Sequence, residues 1–329
     1  MKFVAVDSHL GYNSDYSDLI EVLEKNGIEY VPATAKTDEE VIEACKGADA
    51  VGSIYSDMNE YVCANIPSVK VMVRYGIGYD NFNVEAATKN GIYCCNIPDY
   101  CTEEVASSSL AHMMNAMRKI CYLDRQTRKG NWNSSNYSYE VHRPSCMTVG
   151  IISFGKIARK FSEYCKALGM RIIASDPYLP AEVFAQYGVE SVSLEEVYKQ
   201  SDVISVNCPL FPETYHLINK ETIKMMKDNV IIVNTARGPS ICLDDLVEAL
   251  KSGKVGAASL DVFEGEPITD LSHPMYELDT LSITPHFAYY SKESIHEQHV
   301  KIGQTAVDVL NGKVPYNVLN AKQIAALKK

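Results

Sequence analysis

The sequence lacks the features of several protein classes. It contains no apolar run of about 18 residues, so it predicts no membrane span. Its 31 lysines and arginines are outnumbered by 42 acidic residues, and the formal net charge of -11 argues against nucleic-acid binding. The ten cysteines include no CxxC pair, so neither a zinc ribbon nor a disulfide scaffold is expected. We therefore predict reduced thiols, no metal site and a cytoplasmic protein.

The composition is that of an ordinary folded protein, with 46% apolar and 22% charged residues. A single hydrophobic core stops growing at roughly 250 residues, so a chain of 329 residues is long enough for two domains.

Short β-branched runs alternate with helical patterns over the first hundred residues and again from Met147 to about His286. Such alternation predicts parallel sheets covered by helices on both faces. One long helix is predicted from Cys101 to about Arg128, because acids in its first turn suit the helix dipole. The fold class is therefore α/β, in two domains.

The stretch GIISFGKIA, residues 150–158, lies where a dinucleotide-binding loop would enter a helix. Two of the three glycines of such a loop are replaced, by Ser153 and Ala158. Gly155 remains where the backbone approaches a pyrophosphate most closely, and alanine is an allowed substitute at the third position. If Ser153 needs a positive φ, the strain is on the order of 1 to 2 kcal/mol and need not abolish binding. The loop alone could be an ordinary turn, but the complete βαβ pattern around it favours a dinucleotide site.

Asp176 ends the next predicted strand, about 20 residues after Gly155, where an acid accepts hydrogen bonds from an adenosine ribose. A carboxylate there would repel a 2′-phosphate, so NAD is favoured over NADP. The alternative is that Asp176 only begins a turn with Pro177.

Three downstream motifs together resemble the signatures of the D-isomer-specific 2-hydroxyacid dehydrogenase family. They are NTARG at 234–238, LDVFEGEP at 260–267 and TPH at 284–286. The resemblance extends to RYGIGYDN at 74–81 and NCPLFPET at 207–214. Within the family, the chain looks closest to the phosphoglycerate-dehydrogenase-like members and the C-terminal-binding-protein branch.

This resemblance implies two Rossmann-like domains. Residues 101–289 would form the NAD-binding domain, a doubly wound parallel sheet. Residues 1–100 and 290–329 would form a smaller, flavodoxin-like substrate domain that is split between the two ends of the chain. The resemblance also implies a homodimer.

Three residues would carry the chemistry that the resemblance implies. His286 resembles the acid/base that protonates the keto oxygen, and histidine changes its charge near neutral pH. Glu266 resembles its carboxylate partner, which would orient the ring and favour the imidazolium. Arg237 resembles the cation that holds the substrate carboxylate and polarises the carbonyl. Each residue alone could be structural, but the constellation favours the functional interpretation.

The remaining site residues also follow from the resemblance. Asp261 could instead be a capping acid after a strand, and the two tyrosines could be packing residues. The implied cofactor contacts are Ser153, Gly155, Lys156, Ile157, Asp176, Cys208, Pro209, Thr214, Thr235, Ala236, Arg237, Asp261 and His286. The implied substrate contacts are Tyr55, Arg74, Gly76, Ile77, Gly78, Arg237 and Tyr289.

The sequence thus predicts an NAD-dependent D-2-hydroxyacid dehydrogenase, or 2-keto acid reductase, that binds a small 2-oxo or 2-hydroxy acid and neither nucleic acid nor membrane. The alternative is an NAD-sensing interaction module like the C-terminal-binding proteins, with little turnover, because that branch keeps the same Arg, Glu and His. Formate oxidation is disfavoured, since relatives of that type carry glutamine in place of Glu266.

Overall fold

A computed structural model describes residues 1–8, 15–132 and 140–327. The chain forms two compact units. The first contains Met1–Tyr100 and Ser291–Lys329, and the second contains Cys101–Tyr290.

The strands of both units are short. They are β1 (Lys2–Ala5), β2 (Glu29–Pro32), β3 (Ala50–Ser53), β4 (Val71–Arg74), β5 (Tyr93–Cys95), β6 (Thr148–Ile152), β7 (Arg171–Ser175), β8 (Glu190–Ser191), β9 (Val203–Val206), β10 (Val230–Asn234), β11 (Val255–Leu260) and β12 (Leu281–Ile283).

The helices lie between these strands and at the end of the chain. They are α1 (Ser17–Lys25), α2 (Asp38–Ala44), α3 (Glu60–Ala64), α4 (Val84–Lys89), α5 (Thr102–Arg118), α6 (Ile120–Arg128), α7 (Lys156–Ala167), α8 (Ala181–Gln186), α9 (Leu194–Gln200), α10 (Lys220–Met225), α11 (Leu243–Ser252), α12 (Lys292–Leu310) and α13 (Ala321–Leu327).

The first unit is built on a five-stranded sheet in the order β2-β1-β3-β4-β5. Its strand pairs are parallel. This is the flavodoxin-like strand order. The predicted smaller α/β domain, split between the two ends of the chain, is therefore present.

The second unit is built on a seven-stranded sheet in the order β12-β11-β10-β9-β6-β7-β8, and its strand pairs are also parallel. After β6, the chain first adds β7 and β8 on one side of that strand and then adds β9 on its other side. The point between β6 and β9 is therefore the topological switch of a doubly wound sheet. The predicted Rossmann-type sheet is confirmed.

Two hydrophobic clusters cover the two faces of this sheet. Ile231 and Val233 belong to the cluster that contains Phe161, whereas Val230 and Ile232 belong to the other cluster. Successive residues of one strand thus enter opposite clusters, as a strand buried on both faces requires. This explains the nearly continuous apolar runs in the sequence.

The prediction of a single helix over 101–128 is wrong at one residue. Lys119 has φ 58°, in the left-handed region, and separates α5 from α6. The side chain of Asn115 stabilises the break, because its Oδ1 accepts a hydrogen bond from the Cys121 amide at 2.9 Å. Lys119 itself donates to the Gly256 carbonyl at 3.0 Å.

All ten cysteines are free thiols, as the sequence predicts. Burial raises the pKa of Cys45, Cys95 and Cys165 to about 12, so these thiols are poor nucleophiles. In the described part of the chain, the helices are too short or too polar to cross a membrane.

Candidate active site

Six strands of the second unit end level with one another, at the carboxyl edge of the sheet. The predicted site residues of this unit lie in the segments that follow these ends, which is where open α/β sheets bind ligands. The paired residues that end each strand, in order across the sheet, are Ser175, Ile152, Val206, Asn234, Leu260 and Ile283.

The loop after β6 has the backbone of a dinucleotide loop despite its missing glycines. Ser153 has φ 69°, so it adopts the left-handed conformation that the first glycine usually supplies. Gly155 precedes the first turn of α7, and a Cβ added to it would meet no atom within 4 Å. Lys156 and Ile157 begin the helix. The space beside the α7 N-terminus is therefore open, as an approaching pyrophosphate needs.

Asp176 both holds this loop and begins a turn. Its Oδ2 accepts hydrogen bonds from the Ser153 hydroxyl at 3.1 Å and from the Phe154 amide at 2.9 Å. Its Oδ1 accepts from the Tyr178 amide at 3.0 Å, which is the turn contact considered from the sequence. The carboxylate is half-buried, so part of it is open to solvent at the end of β7.

The loop after β9 is closed by one of its own side chains. The Thr214 hydroxyl donates to the Pro209 carbonyl at 2.7 Å and accepts from the Phe211 amide at 2.8 Å. Cys208 lies in the core, and burial raises the pKa of its thiol. In this loop, Pro209 is exposed and Thr214 is half-buried.

The loop after β10 presents Arg237. The Asn234 side chain donates to the Arg237 carbonyl at 2.8 Å and accepts from the Ala236 amide at 3.0 Å. The Thr235 hydroxyl is 2.7 Å from the Ser109 hydroxyl. The half-buried guanidinium of Arg237 donates to the Ala236 carbonyl at 2.8 Å. The backbone that carries this cation is thus fixed by side-chain contacts on both sides.

Gly238 lets this loop lie against the loop after β11. A Cβ at position 238 would lie 2.3 Å from the carbonyl carbon and oxygen of Phe263. Such a contact is far inside van der Waals distance, so only glycine fits here. The close approach places the Arg237 loop beside the segment that leads to Glu266.

His286 and Glu266 form a hydrogen-bonded pair. His286 Nδ1 is 2.8 Å from Glu266 Oε1, and both side chains are partly exposed. Because an ionised carboxylate can only accept, Nδ1 carries the proton and Nε2 is left to contact a ligand. The His286 backbone has φ 53°, and its amide donates to the Asp261 carbonyl at 2.8 Å.

Asp261 anchors the segment around His286. Its buried carboxylate accepts hydrogen bonds from the Thr284 hydroxyl and from the amides of Phe287 and Ala288, the latter two at 2.8 Å. These contacts match the structural alternative, an acid that caps a segment after a strand. Contact of Asp261 with a nicotinamide remains a prediction.

The chain matches the family model described as the D-isomer specific 2-hydroxyacid dehydrogenase, NAD binding domain, over residues 110–288. It is 38% identical to D-3-phosphoglycerate dehydrogenase of Methanocaldococcus jannaschii, across 94% of this chain and 58% of that protein. It is 34% identical to glyoxylate reductase of Korarchaeum cryptofilum, across 86% of each chain. The chain belongs to the D-isomer-specific 2-hydroxyacid dehydrogenase family.

A solved structure of the same fold is D-lactate dehydrogenase from Aquifex aeolicus, complexed with NAD and lactic acid. Its TM-score to this chain is 0.82 at 27% identity, and the match covers 99% of this chain and 97% of the other. The second unit is therefore the NAD-binding domain typical of this family, and the predicted cofactor NAD is confirmed. The phosphoglycerate dehydrogenase is longer, and this chain spans just over half of it.

The first unit of this family member holds Arg74 and the Gly76 to Gly78 loop at the end of β4. Gly76 has φ 150°, and a Cβ there would lie 1.6 Å from Arg74 Nη1. The same nitrogen donates to the Tyr75 carbonyl at 2.6 Å. The Ile77 carbonyl accepts from the Asn96 side chain at 2.6 Å. The guanidinium therefore packs directly on the loop that is predicted to bind a carboxylate.

Sequence reasoning missed Asp7, which organises the loop after β3. Its buried carboxylate accepts from the Ser53 hydroxyl at 2.8 Å and from the amides of Tyr55 and Ser56 at 2.7 Å each. The Tyr55 side chain is exposed. An acid at the end of the first strand was the available signal. In the second unit, Tyr289 is half-buried and packs edge-on against Tyr290.

Sequence reasoning also missed a contact between His216 and Glu264. Their Nε2 and Oε1 atoms are 2.7 Å apart, and Glu264 also accepts from the Tyr215 hydroxyl at 3.3 Å and the Leu243 amide at 3.4 Å. His216, Glu264 and Cys242 offer ligand atoms within 4.8 Å of one another, a spacing compatible with a metal ion. In the structure Glu264 instead joins two loops by hydrogen bonds, and the absence of a functional metal remains a prediction.

Proposed function

We propose that the chain catalyses hydride transfer between NAD(H) and a small 2-hydroxy or 2-oxo acid, with His286 as acid/base, Glu266 as its partner and Arg237 as the carboxylate-binding cation. The observation that carries the proposal is the His286–Glu266 pair at 2.8 Å. Arg237, Glu266 and His286 follow β10, β11 and β12, which are neighbours in the sheet. The three groups therefore come from adjacent loops at one edge.

The residues of the second unit fit NAD. The left-handed Ser153 and the open space beside Gly155 suit a pyrophosphate at the α7 N-terminus. Asp176 stands at the end of β7, where an acid binds the adenosine ribose. We propose the remaining predicted contacts, from Lys156 and Ile157 to Thr235 and Asp261, as further cofactor residues.

When NAD(H) is bound, its nicotinamide would supply the hydride for C2 of the substrate in the direction of reduction. The Arg237 guanidinium binds the substrate carboxylate and withdraws electron density from the keto group. His286 Nε2 donates its proton to the keto oxygen, which becomes the hydroxyl, and the ring is left neutral. Glu266 holds the Nδ1–H tautomer throughout, and His286 regains a proton from solvent.

We propose that the substrate is a small 2-oxo acid, of the size that the named relatives act on. The relatives named glyoxylate reductase and D-3-phosphoglycerate dehydrogenase support this size class. We propose that Arg74, Tyr55 and the loop from Gly76 to Gly78 contribute to substrate binding, together with Tyr289 of the second unit. We further propose that the protein is a homodimer. We also propose that it is cytoplasmic, which agrees with the ten free thiols and the net charge of -11.

The test is NADH oxidation, followed by its absorbance, against a panel of 2-oxo acids at several pH values with NADPH in parallel. We expect turnover with NADH that falls as the pH rises, because reduction of a 2-oxo acid takes up one proton. Tight NADH binding without turnover of any 2-oxo acid would support the NAD-sensing interaction module instead. Failure to bind NADH would contradict both functions.

Replacing Asp176 is expected to relax the preference for NADH over NADPH by about tenfold or more, because a carboxylate repels the 2′-phosphate. The measurement is kcat/KM for each cofactor at a saturating 2-oxo acid. Asp176→Ala also removes the acceptor for Ser153 and Phe154, so Asp176→Asn is the matched variant that keeps one oxygen acceptor but no charge. If both variants remain as selective as the wild type, Asp176 does not read the ribose.

A further inference from the structure

A continuous chain of hydrogen-bonded side chains runs through the second unit from α5 to the carboxylate of Asp261. It is called the Asn115–Asp261 chain here and lies outside the catalytic groups. Its links are Asn115 Nδ2 to Ser282 Oγ at 2.7 Å, Ser282 Oγ to Ser259 Oγ at 2.7 Å, Ser259 Oγ to His112 Nδ1 at 2.6 Å, His112 Nε2 to Thr284 Oγ1 at 3.1 Å, and Thr284 Oγ1 to Asp261 Oδ1.

The two ends of the Asn115–Asp261 chain fix the direction of its outermost hydrogen bonds. The Asn115 amide nitrogen can only donate, and its orientation is fixed because Asn115 Oδ1 accepts from the Cys121 amide. The Asp261 carboxylate can only accept, so the Thr284 hydroxyl donates to it. Every hydroxyl proton finds an acceptor only in the arrangement in which each inner hydroxyl accepts one hydrogen bond and donates one.

This direction selects one form of His112. Thr284 uses its proton toward Asp261, so it must accept from an Nε2–H of His112. Ser282 already accepts from Asn115 and donates onward to Ser259, so Ser259 donates to a bare Nδ1. If the ring were doubly protonated, His112 Nδ1 would donate to Ser259 and Ser259 would donate to Ser282. Ser282 would then accept from both Asn115 and Ser259, and its own proton would have no acceptor in the Asn115–Asp261 chain. Burial lowers the pKa of His112, against a smaller opposite effect of Asp261, which agrees with the neutral ring.

The Asn115–Asp261 chain ends at a carboxylate that holds the segment carrying His286. Asp261 accepts from the amides on the C-terminal side of that residue, Phe287 and Ala288, and its carbonyl accepts from the amide of His286 itself. A second contact from α5 is made by the Ser108 hydroxyl, which donates to the Ala288 carbonyl at 3.2 Å. Helix α5 therefore holds this segment on both sides of His286.

His286 needs such support because of its backbone. A φ of 53° is unfavourable for a residue with a Cβ and persists only where surrounding contacts impose it. The Nε2–H of His112 orients the Thr284 hydroxyl, and the Thr284 hydroxyl occupies one oxygen of Asp261. Loss of the imidazole would leave the buried hydroxyl of Ser259 and the hydroxyl of Thr284 each with one contact fewer.

We propose that neutral His112, in its Nε2–H form, is a positioning residue that holds the 284–288 segment and thereby sets the placement of His286. The proposal rests on the proposed function only for the consequence on turnover, since the contacts themselves belong to the folded protein. His112 touches neither His286 nor Glu266 in the described contacts, so its effect is transmitted through Thr284 and Asp261.

The first test is amide hydrogen exchange, which needs no substrate. In His112→Leu we expect the amides of 286–288 to exchange about threefold to tenfold faster, the size expected for one lost hydrogen bond. The amides of β6 should keep their rates. Met113→Val is the matched control, because Met113 is the buried neighbour on α5 and lies outside the chain. Unchanged exchange at 286–288 in His112→Leu, or the same increase in Met113→Val, would overturn the proposal.

The second test separates positioning from stability. At a temperature well below the melting transition of each variant, we expect kcat of His112→Leu to fall by about tenfold with the KM for NADH unchanged, because small displacements of a catalytic group slow the reaction steeply. His112→Gln, which can donate to Thr284 and accept from Ser259, should recover most of kcat. A lower melting temperature with wild-type kcat would show that His112 is only structural.

The third test asks whether the residues of the Asn115–Asp261 chain act together on the 286–288 amides. Ser259→Ala breaks it at another link, so the double variant with His112→Leu should exchange no faster at 286–288 than the faster single variant. Additive increases would mean that the two residues act independently and would overturn the chain. If the wild type turns over no 2-oxo acid, the proposed function fails, whereas the exchange results still decide the role of His112.

Discussion

Arg237→Ala is expected to lower kcat/KM for 2-oxo acid reduction by about a thousandfold while NADH binding is retained. A planar guanidinium can form two charge-assisted hydrogen bonds with a carboxylate, each worth about 1.5 to 3 kcal/mol. Together they correspond to roughly two to four orders of magnitude in rate. Steady-state kinetics measures the loss, and a fluorescence titration with NADH measures whether the cofactor site survives.

Arg237→Lys is the matched control for this prediction. It keeps the positive charge but lacks the fork that binds a carboxylate with two parallel bonds. We expect its activity to lie between those of the wild type and the alanine variant. Turnover of Arg237→Ala equal to that of the wild type would reject the assignment, and a loss of NADH binding would assign Arg237 to the cofactor site instead.

His286→Ala is expected to lower the rate of reduction by about 10²- to 10⁴-fold, the usual contribution of a positioned general acid. In the wild type, reduction takes up a proton and should slow as the pH rises. Oxidation of the hydroxy acid releases a proton and should instead accelerate. The alanine variant should lose both trends, so pH profiles of the two directions provide the measurement.

Glu266→Gln serves as the companion variant for His286→Ala. Its side-chain oxygen can still accept from His286 Nδ1, so the ring keeps its orientation but loses the neighbouring negative charge. An intermediate rate is expected. If Glu266→Gln were as active as the wild type in both directions, the 2.8 Å contact would have only a structural role.

Much of the site could be predicted from the sequence because it lies at strand ends. Gly155, Asp176 and His286 each follow an apolar run, and parallel strands bring their carboxyl ends to one edge of the sheet. The motifs after β10, β11 and β12 then led to the chemistry that we propose. Even the conditional expectation for Ser153, a positive φ with its strain, agrees with the observed φ of 69°.

The contacts between side chains distant in sequence could not be predicted. Ser259 and Ser282 face each other because β11 and β12 pair in a register that places them side by side, and the sequence contains no signal for that register. The helical pattern places His112 on α5 as a half-buried residue, but it does not indicate which side chains His112 contacts. The motif position of Asp261 did not indicate that its oxygens accept hydrogen bonds from Thr284, Phe287 and Ala288.

The break at Lys119 illustrates a further limit. The helical pattern continues on both sides of it, and neither glycine nor proline marks the position. The helix ends there because one side chain, Asn115, supplies an acceptor to the Cys121 amide. A local hydrogen bond thus decides an element boundary that hydrophobic periodicity leaves open.

The serine at position 153 has a consequence for how such loops are found in genomes. Its left-handed backbone is unfavourable by about 1 to 2 kcal/mol, whereas a hydroxyl bonded to a carboxylate stabilises by about 1.5 to 3 kcal/mol. The two effects are of similar size and opposite sign, so glycine and serine can replace each other here by near-neutral drift. A pattern search that demands all three glycines would therefore pass over a chain whose phosphate loop keeps its shape through the Ser153–Asp176 contact.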